Sequence, residues 1–168
     1  MADVRRYQPA GHFDLIVSSC ALHWVDPLAP VFRKIVRWLA PRGRFFAAIM
    51  LRGTLVELHA ARCRVAPQKP VRHALPSFPT IAAYARRASF AALTTRRHKA
   101  LVSLPSARTL LTMLHEQGLT GGPIAGSGRL LTRRELQQLV NDYEHNFPSR
   151  DGGVRATFRV AYLTAQKS

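Results

Sequence analysis

Apolar positions in this chain fall into two patterns, short unbroken runs and stripes at helical spacing, and their order predicts alternating strands and helices. Residues 13–18, Phe-Asp-Leu-Ile-Val-Ser, form an apolar run without alternation, the pattern of a strand covered on both faces in a parallel sheet. Leu28, Val31, Phe32, Ile35 and Leu39 then recur at helical spacing, with Arg33, Lys34 and Arg37 on the opposite side. Asp26 is expected to cap this helix and Pro27 to occupy its first position. Pro41-Arg42-Gly43 predicts its stop, and residues 44–50 (RFFAAIM) a second buried strand. Strand, helix, turn and strand make one βαβ unit.

Beyond it, Thr54 and Glu57 have the spacing of a capping box opening a helix over residues 54–65. Residues 66–79 are proline-rich and predict an irregular loop. A short helix over residues 80–88 and a strand over 98–104 follow. Ser106 is placed to cap a helix that Gly118 ends, and the glycine-rich residues 118–128 connect it onward. Thr132 and Glu135 form another capping-box pattern, for a helix reaching about His145. The Ser149–Gly153 turn leads into a last strand over residues 156–165, where Phe158, Val160 and Tyr162 alternate with other positions. The expected class is α/β with an antiparallel finish. The chain reads as one domain: a βαβ core over 1–53, an insertion with a strand and a helix over 54–128, and a closing helix and strand over 129–168.

With 168 residues and 47% hydrophobic content, the chain can bury a real core. Its longest apolar run, residues 45–51, is far too short to span a bilayer, and the first residues lack the apolar stretch of a signal peptide. Cys20 and Cys63 have no ligand spacing, so both are expected as free thiols in a reducing, cytoplasmic setting. Charge changes the picture most: 25 basic residues face 9 acidic ones, a net +16. Such a field attracts polyanions or an acidic protein. The arginines are nevertheless spread along the chain, in doublets only at 5–6, 86–87, 96–97 and 133–134. Aromatic content is only 8%, so the interleaved pattern of a nucleic-acid reader is missing.

Seven histidines invite a metal site, but none pair at helical spacing or lie near clustered carboxylates, so no metal is expected. No GxSxG elbow, phosphate-binding GxxxxGK[ST] loop or GxGxxG motif occurs. What remains is His23-Trp24, directly after the first predicted strand. In open α/β sheets ligands bind outside the carboxyl ends of the strands.

The stretch FDLIVSSCALHWVDPL, its helix, and LAPRGRFFAAIM resemble the fourth-to-fifth-strand region of class I S-adenosylmethionine-dependent methyltransferases. GTLVELHAA, LLTRREL and DGGVRATFRVAYL narrow the resemblance to the malonyl-acyl-carrier-protein O-methyltransferases of biotin synthesis. They are similar too to a methyltransferase-like assembly factor of respiratory complex I that hydroxylates an arginine. The resemblance implies a Rossmann-like sheet of strands four to seven, taken from an order 3-2-1-4-5-7-6, in an N-terminally truncated domain. The edge of strand four would then be open, a place for self-association. It implies S-adenosyl-L-methionine as cofactor, with Asp3 and Val4 beside the adenine and Ser18, Ser19 and His23 as the cofactor-side wall. It implies Arg72, with His73 next to it, as the cation that holds an acceptor carboxylate. The partners it implies are an acidic acyl carrier protein or a malonyl thioester, with no membrane and no nucleic acid. A non-catalytic assembly factor and a basic nucleic-acid-binding module are the alternatives.

Overall fold

The computed structural model describes residues 3–69, 75–120 and 129–168. In chain order the elements are β1 (Phe13–Ser19), a 3-10 turn (Leu22–Trp24), α1 (Ala29–Trp38), β2 (Leu39–Met50), α2 (Val56–Val65) and α3 (Phe78–Arg87). They continue with β3 (Ala92–Leu104), α4 (Ala107–Glu116), α5 (Arg133–Asn146) and β4 (Val154–Gln166). One sheet has the order β1-β2-β4-β3, with β1 parallel and β4 antiparallel to β2. This order matches the one expected for strands four, five, seven and six, so the α/β expectation and its antiparallel finish are met.

The chain divides into two compact units: Met1–Leu51 with Pro76–His98 and Val160–Ser168, and Arg52–Leu75 with Lys99–Arg159. The first is built on the α1 stripe. Leu28, Val31, Phe32, Ile35 and Leu39 are all buried, as the spacing predicts. They meet Phe45, Ala47 and Ile49 of β2, Ala161, Leu163 and Ala165 of β4, and Ile81 and Ala85 of α3 in one core. Each large side chain buried there stabilises the fold by roughly 1.5–3 kcal/mol. The β4 alternation is real, but its core face is 161-163-165; Tyr162, on the other face, is 48% exposed.

β1 corrects the expectation of a strand covered on both sides. Ile16 packs against the core, whereas Leu15 and Val17 are 55% and 64% exposed. An apolar run reads the same at an edge as in the middle of a sheet. β2 starts directly where α1 stops, and its register with β1 shifts between Phe13 and Leu15. Gly43 is required there, because a Cβ would lie 2.8 Å from the Ala40 oxygen and 2.9 Å from that of Phe13.

Two caps differ from their sequence signatures. α1 begins at Ala29 with Leu28 at its N-cap and a proline in its first turn. Asp26 precedes it across a cis bond to Pro27, and its carbonyl accepts from Arg5 Nη1 at 3.3 Å. α2 begins at Val56 after Leu55, whose φ of 53° is left-handed, and no side chain caps it. Thr54 and Glu57 turn instead to β4 (Thr54 Oγ1 accepts from the Arg159 nitrogen at 3.0 Å, and the Glu57 carboxylate accepts from Thr157). Ser77 and Ser106 do cap α3 and α4, accepting from the nitrogens of Thr80 and Thr109. The Thr132–Glu135 capping box is complete. Lys69 Nζ lies 2.6 Å from its Glu135 carboxylate and, as the main cause, holds that group down to about 2. In the second unit, α2 and α4 each pack on α5.

Candidate functional site at the carboxyl end of the first strand

The chain leaves β1 through Cys20, whose φ of 47° turns the backbone while its nitrogen still donates to the Ala48 oxygen at 2.9 Å. Burial pushes the Cys20 thiol up from its ordinary value. The next residues close a tight turn, with Trp24 nitrogen donating to the Ala21 oxygen and Val25 nitrogen to that of Leu22, both at 3.0 Å. Leu22 is drawn into the core, and that fixes its neighbour: His23 is only 6% exposed.

Neither ring nitrogen of His23 has a hydrogen-bond partner among the described residues. A buried polar atom without a partner is uncommon and costs free energy. Burial alone lowers the imidazole to about 4, so it is neutral at physiological pH. The Trp24 ring lies 5.8 Å from it at 36°, with 46% of that residue open to solvent. The parallel β1–β2 pair thus ends in a neutral imidazole with unmet hydrogen-bonding capacity and an accessible indole beside it.

The other expected positions divide. Val4 is half-buried against the core. Asp3 is exposed, and its carboxylate is engaged by Arg5 through the backbone nitrogen at 2.8 Å and through Nε and Nη2 at 3.0 and 2.8 Å. The Arg5 side chain is the main cause holding Asp3 down to about 2. Since Arg5 also reaches the Asp26 carbonyl, residues 3–5 are tied close to the His23 turn. Ser18 and Ser19 are consecutive at the end of the strand and point to opposite faces, one half-buried and one exposed. Arg72 and His73 lie outside the described residues.

Two features escape the sequence reading. Arg5 is one: nothing in a basic doublet signals that it spans Asp3 and Asp26. The other is a cavity of about 540 Å³ in the second unit, lined by residues of α4 and α5 that include Arg108, Leu111, His115, Arg133 and Leu136. Helical periodicity shows each helix as amphipathic but not the gap between them. Among the described residues no group of three or more histidine, cysteine or acidic side chains could hold a metal. No described helix is long and apolar enough to cross a membrane.

For S-adenosylmethionine, the residues present fit one side of the group. The apolar Val4 and the nitrogens of His23 suit a nucleoside, and the Asp3 carboxylate, already paired with Arg5, keeps lone pairs for a further donor.

Residues 2–47 match the family model described as "Methyltransferase domain". Among curated proteins, the chain is 31% identical over 154 residues to the malonyl-[acyl-carrier protein] O-methyltransferase of Alcanivorax borkumensis, covering 92% of this chain and 51% of that protein. It is 29% identical over 165 residues to the mitochondrial arginine-hydroxylase NDUFAF5 of Danio rerio, covering 92% and 50%. The chain therefore spans about half the length of these relatives. Among solved structures, a methyltransferase-like protein (BH2331) from Bacillus halodurans superposes with a TM-score of 0.57 at 11% identity, covering 99% of this chain and 69% of that one. The YcgJ protein of Bacillus subtilis gives 0.56 at 12% identity, covering 95% and 66%. Sheet order, family match and relatives agree in what they support, a class I methyltransferase fold.

Proposed function

We propose that the protein works in S-adenosylmethionine-dependent methyl transfer to a carboxylate, that of a malonyl group carried on an acyl carrier protein. The observation that carries this is the buried His23 at the carboxyl end of β1, without a hydrogen-bond partner among the described residues, in a chain similar over 92% of its length to a malonyl-carrier methyltransferase. When bound, S-adenosylmethionine supplies an electrophilic methyl group on a sulfonium. His23, neutral through burial, adds no positive charge beside that cation and can donate or accept one hydrogen bond. Trp24 offers an apolar face against which a ligand can be held away from water.

A malonyl carboxylate is ionised at neutral pH, its ordinary pKa being near ~4. It needs no general base. Alignment of two reactants can contribute roughly 7–11 kcal/mol, and that is the task assigned to the walls of the site. A planar guanidinium suits the remaining carboxylate oxygens, and Arg72, with His73 adjacent, is the residue proposed for it. Arg86, Arg87, Arg96 and Arg97 are exposed in the first unit and would speed the approach of an acidic carrier protein in a salt-dependent way. A place in biotin synthesis and a cytoplasmic setting follow from the same reading.

The similarity to the arginine-hydroxylase supports a second reading, a methyltransferase-like assembly factor that transfers no methyl group. One experiment separates them. S-adenosylhomocysteine is titrated into the protein by calorimetry, and methyl transfer from radiolabelled S-adenosylmethionine to malonyl-acyl carrier protein is then measured. Saturable heat that His23→Leu abolishes, together with label on the carrier, is the expected result. Binding without transfer favours the assembly factor, and absence of heat at millimolar ligand removes both cofactor roles.

A further inference from the structure

Val160 of β4 pairs with Met50, the last residue of β2, so Arg159 is level with the chain just past the carboxyl end of that strand. Ligands of open α/β sheets bind on this side of the strands. Thr54 holds the Arg159 backbone from both directions. Its hydroxyl accepts from the Arg159 nitrogen at 3.0 Å and donates to the Arg159 oxygen at 3.1 Å. The side chain, half-buried, then lies over Gly53, whose φ of 92° suits glycine. A Cβ at Gly53 would meet Arg159 Cδ and Nε at 3.0 Å and Cζ at 3.1 Å, so any larger residue there displaces the guanidinium.

That guanidinium lacks an acceptor. Its Nε is buried and has no hydrogen-bond partner among the described residues, and none of the ion pairs there includes Arg159. Arg62 also has a buried, unpaired Nε, yet its Nη2 reaches the Arg129 oxygen at 2.6 Å; among the described residues no such contact engages Arg159. Glu57, four residues beyond Gly53, is already committed, since both of its carboxylate oxygens accept from Thr157. A guanidinium carries five N–H donors in a planar fork, and a buried donor left unpaired costs free energy. A carboxylate satisfies such a fork with charge-assisted bonds, and a single guanidinium matches a monoanion. We propose that Arg159, on its Gly53 bed, seats the carboxylate of a small organic acid. In the methyl-transfer reading that acid is the malonyl group, and only this choice of acid rests on that reading. Arg159 then acts as a specificity residue. Methylation turns the carboxylate into a neutral ester, which the seat holds less well, so the same group favours release of the product.

The test is calorimetric titration of the full chain with malonyl-N-acetylcysteamine, its neutral methyl ester and inorganic phosphate, at constant ionic strength. Wild type, Arg159→Gln, Arg159→Lys and Gly53→Ala are compared, and circular dichroism confirms that each is folded. Wild type is expected to bind the acid about tenfold or more tighter than the ester, as hydrogen bonds to a charged group are the stronger ones. Arg159→Gln removes that preference, Arg159→Lys keeps part of it because the charge remains, and Gly53→Ala weakens the acid selectively. Where Arg159→Gln does not fold, the other two variants decide. No binding of the acid by wild type overturns the inference, as does equal affinity for acid and ester, a preference that survives in Arg159→Gln, or phosphate bound in place of the acid. Methyl transfer to malonyl-acyl carrier protein is read separately. Acid held through Arg159 without transfer keeps the seat and sinks the methyl-transfer reading, whereas transfer with a preference indifferent to Arg159 does the reverse.

Discussion

Thr157 closes on the carboxylate of Glu57 with both of its donors, the hydroxyl 2.5 Å from Oε1 and the backbone nitrogen 3.0 Å from Oε2. Glu57 and Thr157 are 5% and 2% exposed, so water cannot replace either bond. Together with the Thr54–Arg159 pair, this contact fastens the entrance of α2 to the start of β4. Thr157→Val keeps the shape and removes the hydroxyl, leaving one buried carboxylate oxygen without a donor. The expected loss is about 1–3 kcal/mol, read from urea unfolding. A change of only a few tenths would show that the clasp contributes little.

His23 ties stability to pH. Its folded value of about 4 lies below the ordinary 6.5 because the ring is buried. Between these values the unfolded chain binds a proton that the folded one refuses. Its contribution is therefore fully present above 6.5 and is lost as pH falls toward 4, by at most about 1.4 kcal/mol per unit. His23→Leu removes that component, so the difference between wild type and variant should vary across this window and flatten above it. Chemical unfolding at half-unit pH steps measures it, and parallel curves would mean the folded protein protonates His23 freely.

Phe32 is the keystone of the α1 stripe. It is fully buried, its ring meets that of Phe45 edge-on at 6.2 Å, and Phe45 stacks on Phe90 at 6.0 Å. Phe32→Ala is expected to cost about 3–5 kcal/mol, and Phe32→Leu distinctly less, by thermal or urea unfolding. Equal effects would mean that the aromatic cluster is not packed as described.

Gly152 and Gly153 both have positive φ, at 88° and 71°, yet their surroundings differ. A Cβ on Gly152 meets open space, whereas one on Gly153 would sit 2.1 Å from the Leu104 oxygen. Gly152→Ala should cost only the backbone term, about 1–2 kcal/mol. Gly153→Ala should cost clearly more, because the turn from α5 into β4 must shift. Comparable unfolding midpoints would contradict this geometry.

How far the sequence could be read depended on the range of the interactions concerned. The α1 stripe and the Thr132–Glu135 box are satisfied by neighbours within a few residues, and both form as their spacing predicts. Thr54 and Glu57 carry the same local signature, but the backbone and hydroxyl of Thr157 and the backbone of Arg159 outcompete it from a distant strand. Asp26 was matched by Leu28 and a nearby proline as helix opener, and its carbonyl went to Arg5. An apolar hexapeptide cannot say whether a neighbour covers it, and β1 proves to be half open. At the site, His23 and Trp24 stand where strand order places them. Ser18 and Ser19 were separated by the alternation of the strand itself.

In the first unit α1 and α3 cover one face of the sheet while Phe46 and Tyr162 stand partly open on the other, and this bears on how the protein must be handled. A net charge of +16 sets up electrostatic repulsion between copies of the chain, which opposes association through those apolar positions. The range of the repulsion shrinks from about 30 Å at 0.01 M salt to about 8 Å at 0.15 M. Dilute buffer therefore preserves a clear solution, and sulfate, which also strengthens apolar burial, brings the material out of it.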